Sequence, residues 1–471
     1  MRGAFPLAPA LNSFGPIESG SRRFQFQWPT QLFLVVWAVV SVVLVLTTVP
    51  AFMPQAGLLW GSDDFDVYRD GAFHLMAQRP LYTEILMHEH LYTYTPFSTI
   101  TFVPFGLLPH RADGYIWMAT NVVALVVIVA VCFRMLGHRI TPHLVWISAL
   151  LAIAFTFLEP VRTTLFYGQI NLVLMLVVLC DTAQGERSRF KGIGVGIAAG
   201  IKLTPAYFIL YYLTLRQWRP AAVSVATIAA TVALGWIVLP EDSRQYWTRA
   251  VFDSDRVGGD SLHPANQSLR GAIGRLIGGP PPSAVAPLPG QAPPTWLWLL
   301  IVACVVVVSM AMTVLLYRGG ERLLAVTVIG LTAAVVSPFS WTHHWVWFVP
   351  VIVYCVHRAL TNRWWWLVAA VSFAALGAWP YRFPVDPLPR IGFYLFPDTW
   401  VPWDAIVNLY LLLYAVILIG AAVIAIRATL KRRHAAPPMV SPMVSPMATV
   451  VKTVVKEPTA PPPQCRQAPV S

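Results

Sequence analysis

Apolar runs of near-spanning length recur along this chain from residue 30 to residue 427, and no other feature limits its possible folds so strongly. About 20 apolar residues make a helix that crosses the hydrocarbon layer of a bilayer. The runs are continuous rather than alternating, which selects helices over a β-barrel. Composition agrees: 11% of residues are charged, against about 25% in soluble domains. An all-α, polytopic transmembrane protein is expected. The net charge of +12 would suggest nucleic acid in a soluble chain. Here Lys and Arg sit mainly in short loops and at the ends of runs, the positive-inside pattern, so no nucleic-acid partner is expected.

Twelve membrane segments are expected, near 30–52, 113–134, 143–158, 165–181, 192–203, 205–215, 220–239, 295–317, 321–339, 344–357, 364–380 and 404–427. Under this count the basic groups Arg22/Arg23, Arg134/Arg139, Arg187/Arg189/Lys191, Arg216/Arg219, Arg318/Arg322, Arg358/Arg363 and Lys431/Arg432/Arg433 share the cytoplasmic face. Both termini then lie in the cytoplasm. Residues 1–29 lack the layout of a cleavable signal and read as a cytoplasmic segment before the 30–427 membrane domain. Residues 428–471 carry a repeated Pro-Met-Val-Ser and read as a disordered tail. The count requires two half-length segments meeting at Lys202-Leu203-Thr204-Pro205, and a stretch from Pro96 to Pro109 that dips in from outside without crossing. Non-helical backbone is tolerated at depth only when buried in protein or lining a cavity, so both features mark a polar pocket. The outside face receives residues 53–112, 159–169, 240–294 and 381–403. Four of the five cysteines lie inside apolar runs and no CxxC or Cys/His cluster occurs, so no zinc or iron–sulfur site is expected.

Of only 21 acidic residues, four (Asp63, Asp64, Asp66 and Asp70) fall within eight positions just after the first apolar run. Carboxylates placed where a lipid-borne substrate meets water suit acid/base chemistry; a solvated helix cap has the same composition. On a helix Asp64 and Asp66 point to different faces and do not work as one pair. Lys202 interrupts a Gly-rich apolar segment and needs an anionic partner, either a ligand phosphate or the interface to which it snorkels. In Ser337-Pro338-Phe339-Ser340-Trp341-Thr342-His343-His344-Trp345 the adjacent histidines diverge, so joint chelation is unsupported, but each can donate to a phosphate or a sugar hydroxyl. Tyr167-Gly168-Gln169-Ile170-Asn171 and Ala265-Asn266-Gln267-Ser268 hold amides that serve as turn formers singly and as hydroxyl readers when grouped. Arg69, Arg162 and Arg270 are further candidates for a diester phosphate.

Taken in order, Asp64-Phe65-Asp66-Val67-Tyr68, Leu81-Tyr82, Tyr92-Thr93-Tyr94-Thr95-Pro96-Phe97, Gly168-Gln169-Ile170-Asn171, Gly200-Ile201-Lys202-Leu203-Thr204-Pro205, Asn266-Gln267-Ser268 and the Ser337–Trp345 stretch form a set. Over about residues 35 to 425 the chain resembles the actinobacterial polyprenyl-phosphate-mannose-dependent α-(1→2)-mannosyltransferases of the GT-C superfamily. Thr95 departs from the proline of a Tyr-Pro-Pro turn. The resemblance implies a site facing the periplasm, a polyprenyl phosphate carrying β-linked mannose as donor, and a mannoside on a lipoglycan or phosphatidylinositol mannoside as acceptor. It implies Asp64 as catalytic base, the first residue of an Asp-x-x-Val-Tyr pattern. Asp66, Tyr68, Arg69, Tyr94, Gln169, Asn171, Lys202, Asn266, Gln267, His343 and His344 are the implied substrate-binding set.

Making an α bond from a β-linked donor inverts the anomeric carbon, which needs one base and stabilisation of the departing phosphate. Lys202 and one of His343 or His344 are expected on that phosphate. A phosphate monoester leaves without the pyrophosphate-clamping metal of nucleotide-sugar enzymes, so neither metal nor other cofactor is expected. Two other readings compete. A transporter or flippase of a lipid-linked sugar would place charges along a through-path and often carry internal repeats; no clear repeat occurs, and the candidates cluster near one face. The same scaffold also fits another polyprenyl-phosphate sugar, such as glucose or arabinose.

Overall fold

The computed structural model describes residues 26–87, 90–253, 256, 261–278, 293–384, 388–397 and 402–435. The Pro-rich stretch at 280–292, within the expected outer segment 240–294, and nearly all of the expected tail therefore lie outside the described residues.

Helix α1 (Trp28–Thr47) carries Pro29 in its first turn, where a proline costs no hydrogen bond, and packs on α5 (Pro142–Phe155). Helix α2 (Asp63–Ala77) follows the acidic run and lies against α3 (Pro96–Gly106). Helix α4 (His110–Met135) packs on α5 and on α7 (Asn171–Ala183), which follows the short α6 (Glu159–Tyr167). Helix α8 (Ile193–Ile201) stops before the 3₁₀ turn Thr204–Tyr207, and α9 (Phe208–Thr214) resumes after it. Two half-length segments are thus found where the sequence places them.

Next come α10 (Trp218–Val238), α11 (Pro240–Thr248), α12 (Leu269–Gly278), α13 (Thr295–Gly319) and α14 (Arg322–Val336). A 3₁₀ turn (Thr342–Trp347) leads into α15 (Phe348–Ala359) and α16 (Trp364–Ala375). A two-residue antiparallel ribbon pairs Pro380 with Ile391 and Tyr381 with Arg390, before α17 (Trp403–Val407) and α18 (Leu409–Ala435). Helix α18 runs on to Ala435, past the expected boundary at 427.

Among the described residues five helices are long and apolar enough to cross a membrane, or six if the pair α6–α7, bent by 116°, counts as one broken span. In α1, α10, α13 and the apolar part of α18, about a fifth of the apolar stretch is buried (17–22%), so most of that surface faces outward, as lipid contact requires. Helices α5, α14 and α16 are shorter, at 14, 15 and 12 residues. At 1.5 Å per residue they reach roughly 18–22 Å, short of a bilayer core of about 30 Å. The multi-pass architecture stands, but the expected runs at 143–158, 321–339 and 364–380 included turn residues such as Ser337 and Pro338. Helix α14, buried from Leu323 to Val335, forms the centre of the bundle with α15.

Candidate active site

The site is assembled where α2, the α6–α7 bend, the α8 break and the 342–347 turn meet. Asp64 stands in the first turn of α2, where unpaired N–H groups and the helix dipole favour anionic side chains. Gly168 has φ +67°, and a Cβ there would stand 2.6 Å from Phe65 Cβ. Glycine alone satisfies both the left-handed backbone and the close approach of α2. The bend sets Gln169 beside Asp64: Nε2 donates to Asp64 Oδ2 at 2.6 Å. Tyr68 donates to Gln169 Oε1 at 3.0 Å and accepts from the Tyr94 hydroxyl at 2.7 Å, which itself lies 3.2 Å from the same amide oxygen. With its oxygen occupied by hydroxyls, the amide is fixed with its NH₂ toward Asp64.

From Tyr94 the network continues to Lys202. Its Nζ lies 3.3 Å from the Tyr94 hydroxyl, 3.1 Å from Asn171 Oδ1 and 3.3 Å from His344 Nε2. Three ammonium donors meet three acceptors, which places the imidazole proton of His344 on Nδ1. Asn171 Nδ2 in turn donates to the His343 carbonyl at 2.9 Å. Lys202 owes its place to the break before Pro205, which leaves it in extended backbone. Thr95, the departure from a Tyr-Pro-Pro turn, caps α3 through Ser98 N and donates its hydroxyl to the Gly200 carbonyl, tying the Tyr94 segment to the α8 break.

Burial pushes the Asp64 carboxyl up to about 6, while the Gln169 hydrogen bond and the Lys202 charge pull it back. Asp64 is therefore a stronger base than an ordinary aspartate, yet ionised at neutral pH. Beside Lys202, Asn171 and His344 opens a cleft whose other walls include Leu174, Met175, Phe208, Ala333 and Trp347. It has a cationic end and an apolar body.

Seven expected residues thus share one hydrogen-bonded network: Asp64, Tyr68, Tyr94, Gln169, Asn171, Lys202 and His344. The others do not join it through their side chains. His343 contributes its carbonyl, and its ring stands edge-on to Tyr167 and His344. Arg69 forms a buried ion pair with Asp113. Asp66 lies about 200° around α2 from Asp64. Asn266 bonds Ser261 O, Ser340 N and Ser268 N; Gln267 bonds Pro264 O, Val407 O and Tyr410 N. Both amides are fully buried and pin loops. Arg162 donates to Ala56 O, and Arg270 lies over Trp298 and Phe339. Among the described residues no three His, Cys, Asp or Glu side chains gather as a metal site.

A carboxylate joined by one network to a lysine that lines an apolar cleft fits a membrane enzyme that handles lipid-borne substrates. The chain belongs to glycosyltransferase family 87, whose model matches residues 92–338. It is 36% identical over 307 residues (63% of this chain, 70% of the relative) to a polyprenol-phosphate-mannose-dependent α-(1-2)-phosphatidylinositol pentamannoside mannosyltransferase of Mycolicibacterium smegmatis. It is 34% identical over 359 residues (69% and 76%) to the corresponding phosphatidylinositol mannoside mannosyltransferase of the same organism. An α-(1->3)-arabinofuranosyltransferase of Corynebacterium glutamicum is 28% identical over 45% of this chain and 49% of its own length. No solved structure matches the chain.

Proposed function

We propose that this glycosyltransferase moves mannose from polyprenyl-phosphate mannose to a mannoside acceptor on a cell-envelope glycolipid, forming an α-(1→2) bond with inversion. One observation carries the reading: a single network has a base at one end and a cation at the other, as in-line displacement needs. Gln169 holds Asp64 Oδ2, so Oδ1 is the oxygen that takes the proton of the acceptor hydroxyl. That hydroxyl oxygen bonds to the anomeric carbon as the bond to the phosphate oxygen breaks. The proton ends on Asp64 and the negative charge on the polyprenyl phosphate, met by Lys202 with His344 as the histidine on that side. The apolar body of the cleft suits the first isoprene units of the carrier.

Tyr68, Tyr94 and Asn171 hold these groups in register, and His343 lines the site. We assign Arg69, Asn266 and Gln267 to bracing, and leave Asp66 as a contact to the acceptor side. The names of the relatives favour a phosphatidylinositol mannoside acceptor. Counting α5, α7, α8, α9, α14, α15 and α16 as membrane segments beside the five long helices gives twelve in all, with the basic ends and both termini in the cytoplasm and the site toward the periplasm. The chemistry as written uses no metal, so transfer should persist in excess chelator. The arabinofuranosyl relative supports the alternative donor sugar. The test is transfer by purified protein from mannose and arabinofuranose polyprenyl phosphates to phosphatidylinositol mannosides, with the linkage determined on the product. An α-(1→2)-mannoside made only from the mannose donor fits; transfer from the arabinofuranose donor alone overturns the sugar assignment.

A further inference from the structure

Outside the network just described, one buried acid is surrounded more completely than any structural cap requires. Glu159 opens α6 and is 1% exposed. Its Oε1 accepts from Thr163 at 2.7 Å, Thr342 at 2.8 Å and Tyr394 at 2.8 Å, and its Oε2 accepts from the Tyr410 hydroxyl. Its own N–H donates to Leu376 O at 2.7 Å. Four hydroxyls from α6, the 342–347 turn, the 393–395 turn and α18 converge on one carboxylate. Every partner is a hydroxyl, so the carboxyl oxygens can accept from all four at once.

One of those donors has a functional neighbour. Thr342 immediately precedes His343 and His344. The turn they share is gripped from the cleft side by Asn171 on the His343 carbonyl and Lys202 on the His344 ring. From the opposite side it is gripped by Glu159 through Thr342. The turn is a short 3₁₀ segment with a kink at Trp345 (φ −88°, ψ 18°), so its own backbone does not lock its position.

We propose that Glu159 is a positioning residue for the histidine turn: acting through Thr342, it sets where His344, and with it Lys202, meets the donor phosphate. This rests on His344 lying at the donor phosphate as read above. A displacement of about 1 Å at a reacting group can cost as much as 100-fold in rate. Loss of one hydroxyl bond behind the turn should therefore cost about tenfold.

The test measures kcat and KM for donor and acceptor separately in Glu159→Gln, Thr342→Val, Thr342→Ser, His344→Ala and the double variants. Thr342→Val keeps shape and removes only the hydroxyl, so it serves even if Glu159→Gln does not fold. Expected is a roughly tenfold loss in donor kcat/KM for Thr342→Val, recovery in Thr342→Ser, and acceptor KM within twofold. In a His344→Ala background Thr342→Val should add no further loss, because both act at one turn. A full, additive loss in that background, or unchanged donor kinetics in Thr342→Val, overturns the positioning role and leaves the phosphate reading standing. Unchanged donor kinetics in His344→Ala overturns the phosphate reading, and this inference with it.

Discussion

Replacing Gln169 by leucine tests how the site tunes its base. The amide makes a 2.6 Å hydrogen bond to Asp64 Oδ2, and that bond favours the ionised carboxylate. A hydrogen bond to a charged group contributes about 1.5–3 kcal/mol. At about 1.4 kcal/mol per pH unit the loss corresponds to roughly one to two units. Asp64 is half-buried rather than fully enclosed, so the lower end applies. Removing a partner of the charged form raises the pKa, from about 6 in the intact site to about 7 in the variant. At pH 7 the ionised fraction then falls from about nine-tenths to about half, and at pH 9 both enzymes are fully ionised. The assay is kcat/KM for the donor across pH 5 to 9, a profile that reports the free enzyme. Donor and acceptor carry phosphodiesters that do not titrate in this range, so an acid limb belongs to the protein. The expected result is an acid limb moved upward by about one unit, with a larger deficit at low pH than at high pH. A limb in its original place, whatever the overall rate, refutes the argument that Gln169 sets the basicity of Asp64.

Lys202→Gln should lower donor kcat/KM, measured at saturating acceptor, by about 10²-fold or more while acceptor KM, measured at fixed donor, stays within twofold, because it removes the charge that meets the leaving phosphate. Gly168→Ala forces an ordinary residue to φ +67° and drives its Cβ toward Phe65; a cost of about 1–3 kcal/mol is expected, seen as earlier thermal unfolding of the purified protein. Gln267→Leu leaves the Pro264 and Val407 carbonyls and the Tyr410 N–H without their partner. It should lower stability by about 1–3 kcal/mol with both KM values unchanged, whereas a rise in either KM would return Gln267 to the substrate.

The network that joins Asp64 to Lys202 was legible because its members sit at points where an apolar chain is interrupted. Acid at a membrane boundary, lysine before proline and amides after glycine each conflict with their surroundings. What the sequence concealed was the direction of each amide. Gln169 and Gln267 look alike on paper, yet one faces the Asp64 carboxylate and the other three backbone groups, a choice made by the folds of distant loops. Arg69 was ambiguous for the same reason, since its partner Asp113 lies on another helix. The 116° bend after α6 was missed because hydropathy runs smoothly through Gly168. Glu159 belongs to no motif, although it is the only acidic residue between Leu144 and Cys180, and that isolation was a readable sign. Helix lengths failed differently: α14 is buried by protein on every side and need not be as long as a lipid-facing span.

The central claim is that Asp64 removes the proton of an acceptor hydroxyl during mannose transfer. Its most direct test is transfer of radiolabelled mannose from polyprenyl-phosphate mannose to a mannoside acceptor by purified wild type and Asp64→Asn side by side. Asparagine keeps the size and the contact to Gln169 while abolishing the base. The account requires robust transfer by wild type and a loss of about 10²-fold or more in a variant that remains folded. Equal transfer by both proteins would contradict it and move the base to another residue.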